Sequence, residues 1–272
     1  MPLKKMVTVA LLFSSAISFC QKNITGLMNA EKAFAQYALD SNTRDAFIKF
    51  LDTNGLVFNE GKPINGYQLW KGREKRNSKL LWGPEFATIA SSNDYGVTTG
   101  PWEFKASLKD TVLARGNFTS IWHYNSEGEW KNVLDMGINY PDKRNGVRDI
   151  QSIEIKAGKK EGADVVSVEK SFIADYKLKG KNAYKTIVSS RIWFNTEGHL
   201  PINGINSLKE ALTMIPDGIE FIPLGFGLSY SMDFGYVYGT AKLNNKEQNY
   251  LRVWVKEDGA WKLLLQVLGL GN

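Results

Sequence analysis

Side chains able to do covalent or acid/base chemistry are scarce in this chain. It holds two histidines, His123 and His199, and one cysteine, Cys20. That inventory excludes a histidine-rich metal cluster, an internal disulfide and a thiol nucleophile in the folded part, so neither a metal nor a cofactor is expected. Gly225-Phe226-Gly227 lacks the third glycine of a dinucleotide loop, and no nucleophile elbow or phosphate-binding loop occurs. What is left is proton transfer. His123 is a candidate general acid or base, with Thr119 and Asn132 nearby in sequence to orient a substrate. Asp135, just beyond them, is the second candidate. Each has a plainer role: a lone strand histidine without an acidic partner is usually structural, and Asp135 suits a strand-end cap or a surface charge.

A binding site needs only walls. Thr119, His123 and Asn132, with the aromatic side chains of Trp70, Tyr95 and Trp130, form the set expected to contact a ligand. Trp102 and Trp122 are further wall candidates, although aromatic residues at such spacings are more often core.

The elements that must hold these residues occur twice. Ala30-Glu31-Lys32-Ala33-Phe34 matches Val168-Glu169-Lys170-Ser171-Phe172, and Pro63-Ile64-Asn65-Gly66 matches Pro201-Ile202-Asn203-Gly204, both at an offset of 138. Asp94-Tyr95-Gly96 with Gly100 matches Asp233-Phe234-Gly235 with Gly239 at 139. Ile121-Trp122 with Gly128 and Trp130-Lys131 matches Val253-Trp254 with Gly259 and Trp261-Lys262. Four blocks in one order mark a duplicated domain, not a short-period solenoid. Helical spacing of Ala30, Phe34 and Tyr37, and of Phe172, Ile173 and Tyr176, predicts a first helix in each copy. Ala46, Phe47 and Phe50, matched by Ala183, Tyr184 and Ile187, predict a second. A short strand (56–58; 192–194), a turn and a third helix follow, the last with Leu208, Ala211 and Leu212 on one face in copy two. Beyond these only strands are expected, in copy one over 85–91, 96–105, 116–124 and 130–137. Helices first and hairpins afterwards define an α+β fold with an antiparallel sheet.

Residues 1–21 read as an export signal: Lys4 and Lys5 start it, and the apolar run 6–19 is too short to span a bilayer. The mature chain is therefore expected in the periplasm or outside the cell. Lipid attachment at Cys20 is disfavoured by Phe19, since lipoprotein signals need a small residue there. Copy one is assigned to 28–141, a polar linker to 142–164 and copy two to 165–270; Ile150, Ile153 and Ile155 offer the linker a short strand. The formal charge of +6 is scattered. Its densest patch, Lys156, Lys159 and Lys160, lies in the linker without interleaved aromatics, so no nucleic-acid partner is expected, and no later stretch resembles a membrane span.

The last hairpin of each copy predicts which side chains face inward. In copy two a turn at 257–259 pairs Val255 with Trp261, Val253 with Leu263 and Leu251 with Leu265, a wholly apolar face expected to turn toward the helices. Arg252, Trp254 and Gln266 would lie outside. In copy one a turn longer by one residue pairs His123 with Trp130, Ile121 with Asn132 and Thr119 with Leu134. Copy one is thus expected to have a polar-lined cavity and copy two an apolar one, with Asp135 and Trp122 on the outer face unless a bulge re-aims them.

The run Asn117 to Asp135 (Asn-Phe-Thr-Ser-Ile-Trp-His-Tyr-Asn-Ser-Glu-Gly-Glu-Trp-Lys-Asn-Val-Leu-Asp) resembles the terminal hairpin of small SnoaL-like proteins of bacterial envelopes. Both copies resemble the nuclear transport factor two-like superfamily, which includes polyketide cyclases and ketosteroid isomerase. The resemblance implies two tandem cone-shaped domains, each a curved antiparallel sheet packed on N-terminal helices around a pocket. It leaves function open, because the superfamily hosts isomerases, cyclases, dehydratases and non-catalytic binding modules. The carboxylate base, tyrosine and protonated aspartate of ketosteroid isomerases have no counterpart on either copy, and Gln266 stands in copy two where copy one has Asp135. The expectation is an exported, non-catalytic binding module for a small apolar or amphipathic ligand. One alternative is an acid/base enzyme of isomerase, cyclase or dehydratase type using His123. The other is a structural module of the cell envelope whose copies pack through their outer sheet faces as an internal pseudo-dimer, Trp122 and Trp254 covering each other.

Overall fold

A computed structural model describes residues 21–143, 149–156, 162 and 164–271. The export signal assigned to 1–21, apart from Gln21, lies outside the described residues, as do Lys159 and Lys160. In copy one, Asn23 caps α1 (Ile24–Asp40) by accepting the Gly26 amide, and Asn42 caps α2 (Thr43–Phe50) by accepting that of Asp45. There follow β1 (Leu51–Asn59), β2 (Lys62–Asn65), α3 (Gly66–Gly72), β3 (Lys79–Trp82), β4 (Phe86–Ile89), β5 (Tyr95–Lys105), β6 (Val112–Tyr124) and β7 (Trp130–Asn139). The connector adds β8 (Gln151–Glu154), parallel to β4, where the isoleucines of the linker suggested a strand. Copy two repeats the order: α4 (Val165–Lys179), α5 (Tyr184–Ile187), β9 (Val188–Thr196), β10 (Ile202–Asn203), α6 (Leu208–Met214), β11 (Glu220–Leu228), β12 (Phe234–Leu243), β13 (Lys246–Glu257) and β14 (Ala260–Leu268).

The sheets run β2-β1-β7-β6-β5-β4-β8, with β3 also on β5, and β10-β9-β14-β13-β12-β11. Both are mixed, not wholly antiparallel: β1 lies parallel to β7 and β9 parallel to β14. The first strand is separated from the hairpins by a helix, and that crossover lets it join the last strand in the same direction. The fold is α+β, two tandem units each with helices on one face of a curved sheet. The single β11 of copy two corresponds to two strands in copy one, β3 and β4, broken near Gly83. Gly100 and Gly239 permit the close crossing at that break: a Cβ would lie 2.1 Å from the Gly83 carbonyl oxygen and 2.2 Å from that of Ile222. Among the described residues no helix is long and apolar enough to cross a membrane.

The expected orientation of the sheet faces is reversed except beyond the bulges, where Trp130, Trp261 and Leu263 pack on the helix side as expected. Trp122 packs with Leu27, Phe34 and Phe47 under α1 and α2, and Trp254 with Val165 and Phe172 under α4. Leu251, Val253, Val255 and Leu265, expected to face the helices, instead join Val97, Ile121, Leu134 and Met136 of copy one in one shared core cluster. Alternation separates two faces but does not say what covers each, and here both are covered. The register also differs, because each last hairpin carries a bulge, at Ile121/Trp122 against β7 and at Val253/Trp254 against β14. His123 is paired with Lys131, Ile121 with Leu134 and Thr119 with Met136; Val255 is paired with Lys262, Val253 with Leu265 and Leu251 with Val267. The bulge changes the parity of β7, so that Asn132 and Asp135 both reach the helix side although three residues separate them.

Contacts between the copies repeat with twofold logic. Ser92 Oγ and Ser231 Oγ lie 2.8 Å apart, the Asp94 carboxylate accepts the Tyr230 amide at 2.8 Å and Asp233 accepts the Ser91 amide at 3.3 Å. Ser92 thus meets its own counterpart, and the Asp94–Tyr230 and Asp233–Ser91 contacts are one pair of positions with the copies exchanged. Asp94 and Asp233 therefore do more than set the entry of their own strands. Within the apolar seam, the Asn195 side-chain amide donates to Thr99 Oγ1 at 3.0 Å and Thr119 Oγ1 at 3.2 Å.

Candidate functional site

The site is built from α1 outward. Leu27, Ala30, Phe34 and Ala38 form the buried stripe of that helix, and Glu31 sits in the middle of it with no exposed surface. Its carboxylate is held by neutral donors: Trp82 Nε1 to Oε1 at 2.6 Å, Thr98 Oγ1 to Oε2 at 2.6 Å and Trp122 Nε1 to Oε2 at 3.0 Å. Burial raises its pKa and the hydrogen bonds from Thr98, Trp82 and Trp122 oppose that rise. Next to it, on the same face, Asp135 Oδ2 accepts from Ser120 Oγ at 2.9 Å and from Asn132 Nδ2 at 3.3 Å. Desolvation, then the neighbouring Glu31 charge, push Asp135 up to about 7.

Asp135 opens onto a cavity of about 310 Å³ walled by Phe34, Phe47, Trp82, Trp102 and Phe118, whose rim includes Gly137 and Asn139. An apolar cavity with one carboxyl that is half protonated near neutral pH can hold a small apolar body and exchange a proton or hydrogen bond with its polar end.

The residues singled out from sequence do not converge there. Asp135 lines the cavity and Asn132 bonds to it, with the Asn132 Oδ1 buried and unpartnered. Thr119 is buried in the seam on Thr99 and Asn195. His123 stacks on Tyr95 with ring centroids 4.5 Å apart at the edge of that seam, and Tyr95 lies 6.2 Å from Tyr236 of copy two. Burial lowers the His123 pKa, and the ring lies on the sheet face away from the cone. Trp70 backs the cone, stacked on Phe47 at 4.3 Å, and Trp130 lines a separate groove with Tyr37 and Phe50 while donating to the Gln21 carbonyl. That groove is larger, about 630 Å³, but holds no buried acid or base. Trp102, a further wall candidate, is in the cone wall. Glu31 went unnoticed as a site residue. Its signal was available: an acid inside an apolar helical stripe, kept as Glu169 in the other copy.

In copy two the same positions are filled. Arg252 replaces Ser120 and Gln266 replaces Asp135 in the paired register. The Arg252 guanidinium is fully buried, salt-bridged to Glu169 and hydrogen-bonded through Nε to Gln266 Oε1 at 2.8 Å. Trp254 Nε1 donates to Glu169 at 3.0 Å, as Trp122 does to Glu31, and Tyr184 OH donates to Gln266 at 2.8 Å. The interior expected to be an apolar cavity is an ion pair packed among aromatic rings.

No family model matches the chain, and no curated protein matches it. Among solved structures, it is similar to an NTF-2 like protein of unknown function from Shewanella oneidensis: 19% identity over 41% of this chain and 94% of that one, TM-score 0.34. It is also similar to a proposed ketosteroid isomerase from Parabacteroides distasonis, at 20% identity over 42% of this chain and 85% of that one, TM-score 0.32. A de novo designed protein with a curved β-sheet gives 13% identity over 39% of this chain and 99% of that one, TM-score 0.32. These likenesses concern the fold alone.

Proposed function

We propose that the chain is an exported binding module in which the cone of copy one takes a small, mostly apolar ligand, while copy two is a filled scaffold that covers its outer sheet face as the other half of an internal pseudo-dimer. The observation that carries this reading is a contrast between the copies: Asp135, which accepts from the buried Ser120, lines a cavity of about 310 Å³, whereas its counterpart Gln266 accepts from the buried Arg252 guanidinium. A cavity with apolar walls and one convergent polar group is the usual form of a small-molecule site. Native mass spectrometry of the full chain with indole tests it. One bound equivalent in the native chain, and none in Ser120→Arg/Asp135→Gln, is expected; equal binding by both proteins places the site elsewhere.

A second reading is favoured by the Asp135 carboxyl itself. A carboxyl at about 7 against an apolar wall is poised as a general base, so acid/base chemistry, if the chain performs any, belongs to Asp135 and not to His123. Incubating the chain with a small cyclic ketone in D2O reads this directly: deuterium uptake beside the carbonyl that disappears in Asp135→Asn supports it, and uptake no faster than without protein removes it.

A further inference from the structure

The two copies differ in one component of an otherwise shared construction. In copy two the Arg252 guanidinium lies 4.4 Å from the ring centre of Phe172, 4.0 Å from Phe221 and 4.6 Å from Tyr250, and is paired with Glu169. This is an aromatic cage around a cation, closed by an acid. Copy one keeps every wall of the cage. Phe34 corresponds to Phe172 by the repeat, Phe118 to Tyr250 by the strand register, and Trp82, which pairs with Trp102 as Phe221 pairs with Ala241, to Phe221. The spacing within the wall is also kept: Phe34 lies 4.8 Å from Phe47, and Phe172 4.9 Å from Tyr184. Glu31 corresponds to Glu169. Asp135 adds a second acid where copy two has the neutral Gln266. Only the cation is missing, because Ser120 stands in place of Arg252 and carries no charge, and the hydrogen bonds to both acids come from neutral groups.

Resting on the reading that this cone binds a ligand, we propose that the ligand is an organic cation, an amine or guanidinium carried on a small apolar body, seated where copy two holds its own Arg252 guanidinium. The rings of Phe34, Trp82 and Phe118 line the cavity around the charge, and Asp135 is the carboxylate it meets at the cavity wall. Glu31 lies behind, its oxygens occupied by Trp82, Thr98 and Trp122, and contributes negative potential without direct contact. A neutral ligand of the same shape gains the apolar walls only. An anion meets two acids and no base.

Tryptophan fluorescence titration of the full chain at pH 8 with 2-phenylethylamine, 2-phenylethanol and phenylacetate separates the cases. The amine is expected to bind at least about tenfold more tightly than the alcohol, and phenylacetate more weakly than either. Asp135→Asn is expected to erase the preference for the amine and leave the alcohol's affinity in place, and Ser120→Arg/Asp135→Gln to abolish binding of all three. If the alcohol binds as well as the amine, the cation proposal falls while the apolar-ligand reading stands. If none of the three binds, both fall. The ligand series on the unaltered chain decides the matter even where a variant does not fold.

Discussion

Asp135 is held near neutral pKa by the same surroundings that make it useful. Its ordinary value is 3.8 and its folded value about 7, so between those pH values the folded chain holds a proton that the unfolded chain has released. The stability this proton contributes is fully present below about 3.8 and declines as pH rises toward 7. Asp135→Asn is expected to flatten that slope and, at pH 8, to be more stable than the native chain by on the order of 1 to 2 kcal/mol; urea unfolding at pH 5 and pH 8 checks it. The two buried glutamates give the second expectation. Removing the charge of Glu169 strands the buried Arg252, so Glu169→Gln should cost about 3 to 5 kcal/mol. Glu31→Gln disturbs only neutral donors and should cost on the order of 1 to 3 kcal/mol, measured by the same unfolding. At this scale the sequence was partly legible. Asp135 and Asn132 were candidates by type, whereas Thr119 and His123 were placed on the cone by taking their face of β6 for the one that meets the helices.

The bulge opposite Ile121/Trp122 decides which elements carry the site, because it brings Asn132 and Asp135 to one face of β7. Periodicity located the helices and hairpins to within a few residues, since apolar spacing follows from burial whatever does the burying. It did not locate the bulge, which adds one residue without disturbing the apolar pattern, or β3, whose Leu80-Leu81-Trp82 run shows no alternation. The turns before β5 and β12 are a further case. In the second of them Asp233 is 2% exposed and accepts from Ser91 and Ser231 of the two copies. Asp233→Ala should leave those half-buried donors unpaired and lower stability by about 1 to 3 kcal/mol, more than the same change at Asp94, as read by thermal unfolding.

For the whole molecule, duplication explains the reversed faces. A single copy would expose Val97, Ile121, Leu134 and Met136, or their partners Leu251, Val253 and Leu265, as a bare apolar sheet. Each copy expressed alone is expected to self-associate in light scattering, and the full chain to unfold in one calorimetric transition because the seam couples the halves. The repeat was visible in four sequence blocks, but what covers the second face of each sheet is a long-range choice that alternation does not encode.

The account rests on one difference between the halves, an open cone in copy one and a filled one in copy two. Crystals of the chain pressurised with xenon test it most directly, since xenon enters apolar cavities and not ion pairs. Xenon density among Phe34, Trp82 and Phe118, with none beside Arg252, is the expected result. Density at neither place, or at both, contradicts it.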